Sequence, residues 1–156
     1  MPVFRSSALS LLSLGLGAGL LLSGCDQIAE QAAADRAKGL YFVAEAQAKV
    51  YPAPGGGFEV VPPIGSDGAR YWCAASRYAQ QALGAAWSQD IYVKRGLALG
   101  EVSGRINTVV FTLDPVARET PQPLVRRIYS FKPGDALSVA SADSYCNEMP
   151  PLLSGF

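Results

Sequence analysis

The chain has 156 residues, with 13 Lys and Arg against 13 Asp and Glu, three cysteines and no histidine. Net neutrality, with no basic block or stripe and no RNP-like aromatic strand, gives nucleic-acid binding no electrostatic footprint. The missing histidine removes the commonest general base, the commonest zinc or copper ligand and every Ser-His or Cys-His dyad, so neither a metal site nor a cofactor is expected.

Taken in chain order, Met1–Ser7 is short and carries one positive charge, Arg5. Ala8–Leu22 is a 15-residue apolar run interrupted only by small residues. That is shorter than the roughly 20 helical residues a hydrocarbon core needs, and it has the layout of a secretory signal. Leu22-Ser23-Gly24-Cys25 then presents an aliphatic residue, two small residues and a cysteine. This stretch resembles the lipobox of bacterial lipoprotein precursors. The resemblance implies that the Cys25 sulfur receives a diacylglyceryl group, that the peptide is cut between Gly24 and Cys25, and that the new amine is acylated as well, with palmitate as the expected kind of chain. It implies a periplasm-facing protein held to the membrane through lipid on Cys25. Asp26 is similar to the inner-membrane retention signal of enteric lipoproteins, with the outer membrane as the alternative. One myristoyl-like chain binds only marginally, but each buried methylene adds about 0.8 kcal/mol, so two or three chains on one cysteine make release negligible.

Removing residues 1–24 leaves 132 residues with 12 Lys and Arg against 13 Asp and Glu, net −1. That is one domain of ordinary size. Asp26–Val50 is Ala-rich and predicts a helix, with Glu45 and Lys49 four apart in the favourable order. Its larger apolar residues fall late, at Leu40, Tyr41, Val43 and Val50. The early turns, 25–39, are therefore expected to be a stalk, with a single α+β domain over 40–148. Tyr51–Ala69 is crowded with proline and glycine and predicts a surface loop holding a short strand at Phe58–Val61. Its glycines lack a phosphate-loop pattern.

Arg70–Ala86 predicts a second helix, with Trp72, Ala75, Ala79, Ala82, Leu83 and Ala86 on one stripe. Strands are expected at Asp90–Arg95, Ile106–Leu113, Leu124–Phe131 and Leu137–Ala140. In the second of these, Val109, Phe111 and Leu113 share one face and Thr108, Val110 and Thr112 the other. Short connections favour an antiparallel meander, and residues 149–156 predict a loose tail. With Cys25 lipidated, Cys73 and Cys146 are an even pair in an oxidising compartment, which predicts a disulfide; a reactive Cys73 thiol is the alternative. Closing so long a loop is worth roughly 4 kcal/mol in the chain-entropy picture. The expected fold is α+β: two helices on a small antiparallel sheet of three to four strands, tied by one disulfide.

Two groups of residues are candidates for binding. The loop from Arg95-Gly96 to Gly104-Arg105, with Gly96, Gly100 and Gly104 evenly spaced, can hold a carboxylate or phosphate through backbone N–H groups and guanidinium forks, or it can be a solvated hairpin loop. Tyr71 and Trp72 can line a cleft or lie in the core. Glu59, Asp67, Asp90, Glu101, Asp114 and Glu119 lie in or beside loops, with no spacing that singles out a catalytic pair. No catalytic residue is therefore assigned. The expectation is a lipid-anchored cell-envelope protein that acts as a non-enzymatic interaction or accessory module, with an envelope protein as partner. The alternative is a small-anion or cell-wall-fragment binding domain, weakly enzymatic at most, that uses the Arg95–Arg105 loop with Tyr71 and Trp72.

Overall fold

The computed structural model of the protein describes residues 23–118 and 129–148. Helix α1 (Ser23–Ala37) leads into β1 (Tyr41–Val43), β2 (Ala48–Ala53) and β3 (Gly57–Val61). Helix α2 (Gly68–Gln81) follows, then β4 (Asp90–Ala98), β5 (Thr108–Thr112) and β6 (Ala136–Ser138), and two short helices, α3 (Val139–Asp143) and α4 (Tyr145–Glu148). The strands form one open sheet of six, in the order β1-β2-β3-β5-β4-β6, with every neighbouring pair antiparallel. The class is α+β with an antiparallel sheet and a disulfide, as expected, but the sheet is larger than the three to four strands predicted, and the short helices α3 and α4 add to the two helices expected.

The predicted meander does not form. Because β5 is antiparallel to both β3 and β4, those two strands run parallel to each other with β5 filling the slot between them. The chain crosses one face of the sheet as α2, passes over a strand's width, and folds back to pair both open edges. A helical crossover is the connection that parallel strands require.

Helix α2 starts at Asp67, whose side chain accepts the Arg70 N–H at 3.3 Å, the N-cap bond that satisfies an orphan donor. Its predicted stripe is right at Trp72, Ala75 and Ala79, all fully buried, against Val50, Phe58, Val60, Val93, Val109 and Phe111. Trp72 packs edge-on to Phe111 at 5.0 Å and stacks with Phe131 at 6.3 Å. The stripe stops short of its predicted end. The helix finishes at Gln81, Gly84 takes the left-handed region (φ 68°), and Ala82, Leu83 and Ala86 are exposed. Cys73 and Cys146 are bonded, with Cα atoms 4.9 Å apart, which ties α2 to α4.

The single helix expected over Asp26–Val50 is cut in two. Gly39 sits at φ 74°, and its N–H and that of Lys38 close the end of α1 on the carbonyls of Arg36 and Ala34. The Tyr41–Val43 segment then pairs with Ala48–Val50 across a turn in which Gln47 has φ 49°. Alanine's helical preference amounts to a few tenths of a kcal/mol per residue. It yields here to burial of Val43, Ala46, Ala48 and Val50 and to strand pairing with β3. Leu137–Ala140 divides at Ser138, which ends β6 and caps α3 by accepting the Ser141 N–H. Of the strand expected at Leu124–Phe131, residues 124–128 lie outside the described residues; Tyr129 and Ser130 are helical, and Phe131 is buried with φ 46°. The predicted tail, 149–156, also lies outside them.

Candidate functional site: a loop closed on its own carboxylate

The face of the sheet away from α2 carries one register row, Tyr51, Glu59, Val110 and Arg95, running across β2, β3, β5 and β4. Regular pairing from Val93 opposite Phe111 would put Lys94 in that row. An extra residue on β4 shifts the register so that Arg95 faces Val110 instead. Such a bulge re-aims side chains. Lys94 turns out to the Gly55 carbonyl at 2.8 Å, and Arg95 comes to lie over Glu59.

The loop that leaves β4 folds over this row. The Glu59 carboxylate, 1 % exposed, accepts the N–H groups of Glu101 at 2.6 Å, Val102 at 3.1 Å and Ser103 at 2.8 Å. Successive N–H groups converging on one anion form a nest of the kind that binds phosphates elsewhere. The Arg95 guanidinium adds its charge at 3.7 Å from Glu59 and donates to Glu101 at 2.5 Å. The Gly100 N–H donates to the Arg105 carbonyl and the Gly104 N–H to the Gly100 carbonyl, which closes the loop on itself.

The evenly spaced glycines serve three separate purposes. A Cβ at Gly100 would stand 2.5 Å from the Glu59 carboxylate and 2.8 Å from the Thr108 hydroxyl, so the nest needs glycine there. A Cβ at Gly96 would meet the Phe131 carbonyl at 2.5 Å. Gly104 is in the left-handed region, at φ 69°, with open space around it.

Burial alone would raise the Glu59 carboxyl. The donors from Ser103, Val102 and Glu101 outweigh it and hold the group below the ordinary carboxylate range. Nearby, Asp35 is pulled down chiefly by its hydrogen bond from Lys49, against the opposing effect of burial. That ion pair, 2.5 Å between Nζ and Oδ2, docks the end of α1 on β2. Between the two acids lies Tyr51. Burial first, and then the Asp35 charge and hydrogen bond, push its hydroxyl up to about 12.

The sequence-predicted binding residues do not gather at one place. Arg95 lines a small recess of about 110 Å³ with Pro54, Lys94 and Glu101. Arg105 lies on the other side of the loop, in a groove of about 470 Å³ with Phe42, Lys49, Ile64 and Ile106. Trp72 is fully buried and Tyr71 5 % exposed; both belong to the core, and Tyr71 reaches the loop only by donating its hydroxyl to the Asn107 carbonyl at 3.0 Å. Cys25 is in the first turn of α1. Sequence reasoning placed Glu59 among scattered loop acids and overlooked Asp35. The usable signal was a lone acid inside Phe58-Glu59-Val60-Val61, a segment otherwise made of strand-forming apolar residues.

Among the described residues, no group of three or more His, Cys, Asp or Glu is placed to hold a metal ion, and no helix is long and apolar enough to cross a membrane. The chain matches no protein-family model, and comparison with curated proteins and with solved structures returns no match.

Proposed function

We propose that the chain is a lipid-anchored protein of the bacterial cell envelope, held on the periplasmic side by acyl chains on Cys25, and that its folded domain is an interaction or accessory module rather than a catalyst. The Leu22-Ser23-Gly24-Cys25 lipobox supports the anchor. The observation that carries the module reading is the closure of the Arg95–Arg105 loop on Glu59. An external carboxylate or phosphate at that loop has to compete with a tethered one for the same three N–H groups. The alternative of a small-anion or cell-wall-fragment site there is correspondingly weakened. An inner-membrane address follows from Asp26 if the enteric rule applies.

The test has two arms. Labelled palmitate is expected to enter the wild-type chain and not Cys25→Ser, which accumulates uncleaved. Ordinary processing of that variant defeats the anchor. The oxidised, membrane-bound chain is then crosslinked in intact envelopes beside Arg95→Ala/Arg105→Ala. One stoichiometric protein captured by both supports the module. Retention of peptidoglycan fragments or an anionic metabolite by the wild type alone puts the alternative first.

A further inference from the structure

Five exposed apolar side chains lie on or beside the strand ends at one end of the sheet. Phe42, Lys49 and Val61 form its last row across β1, β2 and β3, and Ala98 opposite Thr108 continues it at β4 and β5. Phe42 (56 % exposed), Ile64 (88 %) and Ile106 (76 %) stand around the 470 Å³ groove, and Leu97 and Leu99 (62 % and 61 %) flank that row where β4 ends. Isolated exposed apolar residues are ordinary, but a cluster of them with a polar rim marks an interaction surface.

The charges in the groove have one sign. Arg105 is exposed, and its guanidinium has no ion-pair or hydrogen-bond partner among the described residues. Lys49 lies deeper, its charge set against the buried Asp35. No acid among the described residues lines the groove. The exposed apolar side chains around it come from three separate segments: β1, the turn after β3 and the approach to β5. Exposed apolar tips beside an unpaired cation suit the boundary of an anionic bilayer, where acyl chains receive the tips and a phosphate the cation.

The position of α1 adds a second argument, which rests on the proposed lipid at Cys25. Asp35 fixes the end of α1 to Lys49, at this same end of the sheet. Ten helical residues span about 15 Å, so an acylated Cys25 would tether the bilayer within about 15 Å of Asp35, whose partner Lys49 lines the groove. We propose that this end of the sheet is a membrane-docking face, with Phe42, Ile64 and Ile106 entering the interface of an anionic bilayer and Arg105 binding a lipid phosphate.

The test uses the full chain reconstituted in vesicles of phosphatidylglycerol and phosphatidylcholine carrying brominated acyl chains. Ile106→Trp provides a reporter at the tip, while native Trp72 and Trp87 supply the background. Quenching of the new tryptophan about twofold above that background is expected. Arg105→Glu, or replacement of phosphatidylglycerol by phosphatidylcholine, should reduce it. Quenching no greater than in the parent chain, repeated with Ile64→Trp, overturns the proposal and leaves the groove to a protein partner. Insensitivity to both Arg105→Glu and lipid charge overturns the phosphate contact. The mass of the Cys25 peptide from the same preparation reports the anchor separately, because quenching reads this face whether acyl chains or the leader hold the chain to the vesicle.

Discussion

Phe58 and Glu59 are adjacent on β3, each 1 % exposed, and they are buried for opposite reasons. On the face under α2, Phe58 meets Phe111 and Tyr78, and the gain is apolar area removed from water. On the other face the Glu59 carboxylate is removed from water only because three N–H groups and a guanidinium replace its hydration. The first kind of burial depends on volume and tolerates polar error poorly. The second depends on donor geometry and on charge, so it responds to pH and to a single added methyl group. One sheet therefore has a face set by packing and a face set by hydrogen bonding.

The largest expected effect is on the packed face. Trp72→Ala should cost about 3–5 kcal/mol in urea unfolding, leaving the acid slope of stability as it was. Replacing Cys73 and Cys146 together by alanine should cost roughly 4 kcal/mol and leave that slope unchanged too. Gly100→Ala should come next, at about 2–3 kcal/mol, because its Cβ must displace the Glu59 carboxylate or the Ser103 hydroxyl. A loss as small as that of an ordinary surface change would mean that the loop opens readily and the nest is loose.

Glu59→Gln should cost about 2–3 kcal/mol near neutral pH and flatten the acid limb. The sign follows from the direction of the shift. Glu59 and Asp35 are both held below the ordinary carboxylate range when folded. Their contribution is full above that range and is lost as pH falls through the folded values. Acid unfolding that is equally steep in Glu59→Gln would remove the electrostatic half of the contrast. The smallest effect belongs to Asp35→Asn, about 1 kcal/mol, since Lys49 is partly exposed and screened. Hydrogen exchange should show that loss in α1 alone; a change spread over the sheet would make α1 part of the core.

Much of the packed face could be read from residue spacing. Trp72, Ala75 and Ala79 recur at helical spacing, and Val109 and Phe111 alternate as a strand buried on one side should. Those periods are local properties, and burial by apolar area needs little more. The other face was hidden. Thr108, Val110 and Thr112 share that face as expected, yet all are buried. The loop closes on Thr108 through Ser103, Arg95 joins Val110 in its row, and the Thr112 hydroxyl turns to the Gly56 carbonyl. The closure of the loop depends on a β4 bulge that alternation does not announce and on contacts of Glu59 with residues more than 40 positions away.

The hairpin of β1 and β2 was missed for a related reason. Its alanines favour a helix locally, and only a neighbouring β3 makes the extended form the better one. The groove gathers Phe42, Ile64 and Ile106 from three segments whose nearness no local pattern contains.

By itself the sequence determined the α+β class, the first half of the α2 stripe, the strongest strands and the pairing of Cys73 with Cys146, because each rests on short-range periodicity or simple counting. Only the tertiary structure decided the sheet order, the break after α1, the burial of Glu59 and the separation of Arg95 from Arg105. Each of those is a choice among long-range partners, made by the donors and surfaces that distant segments bring together.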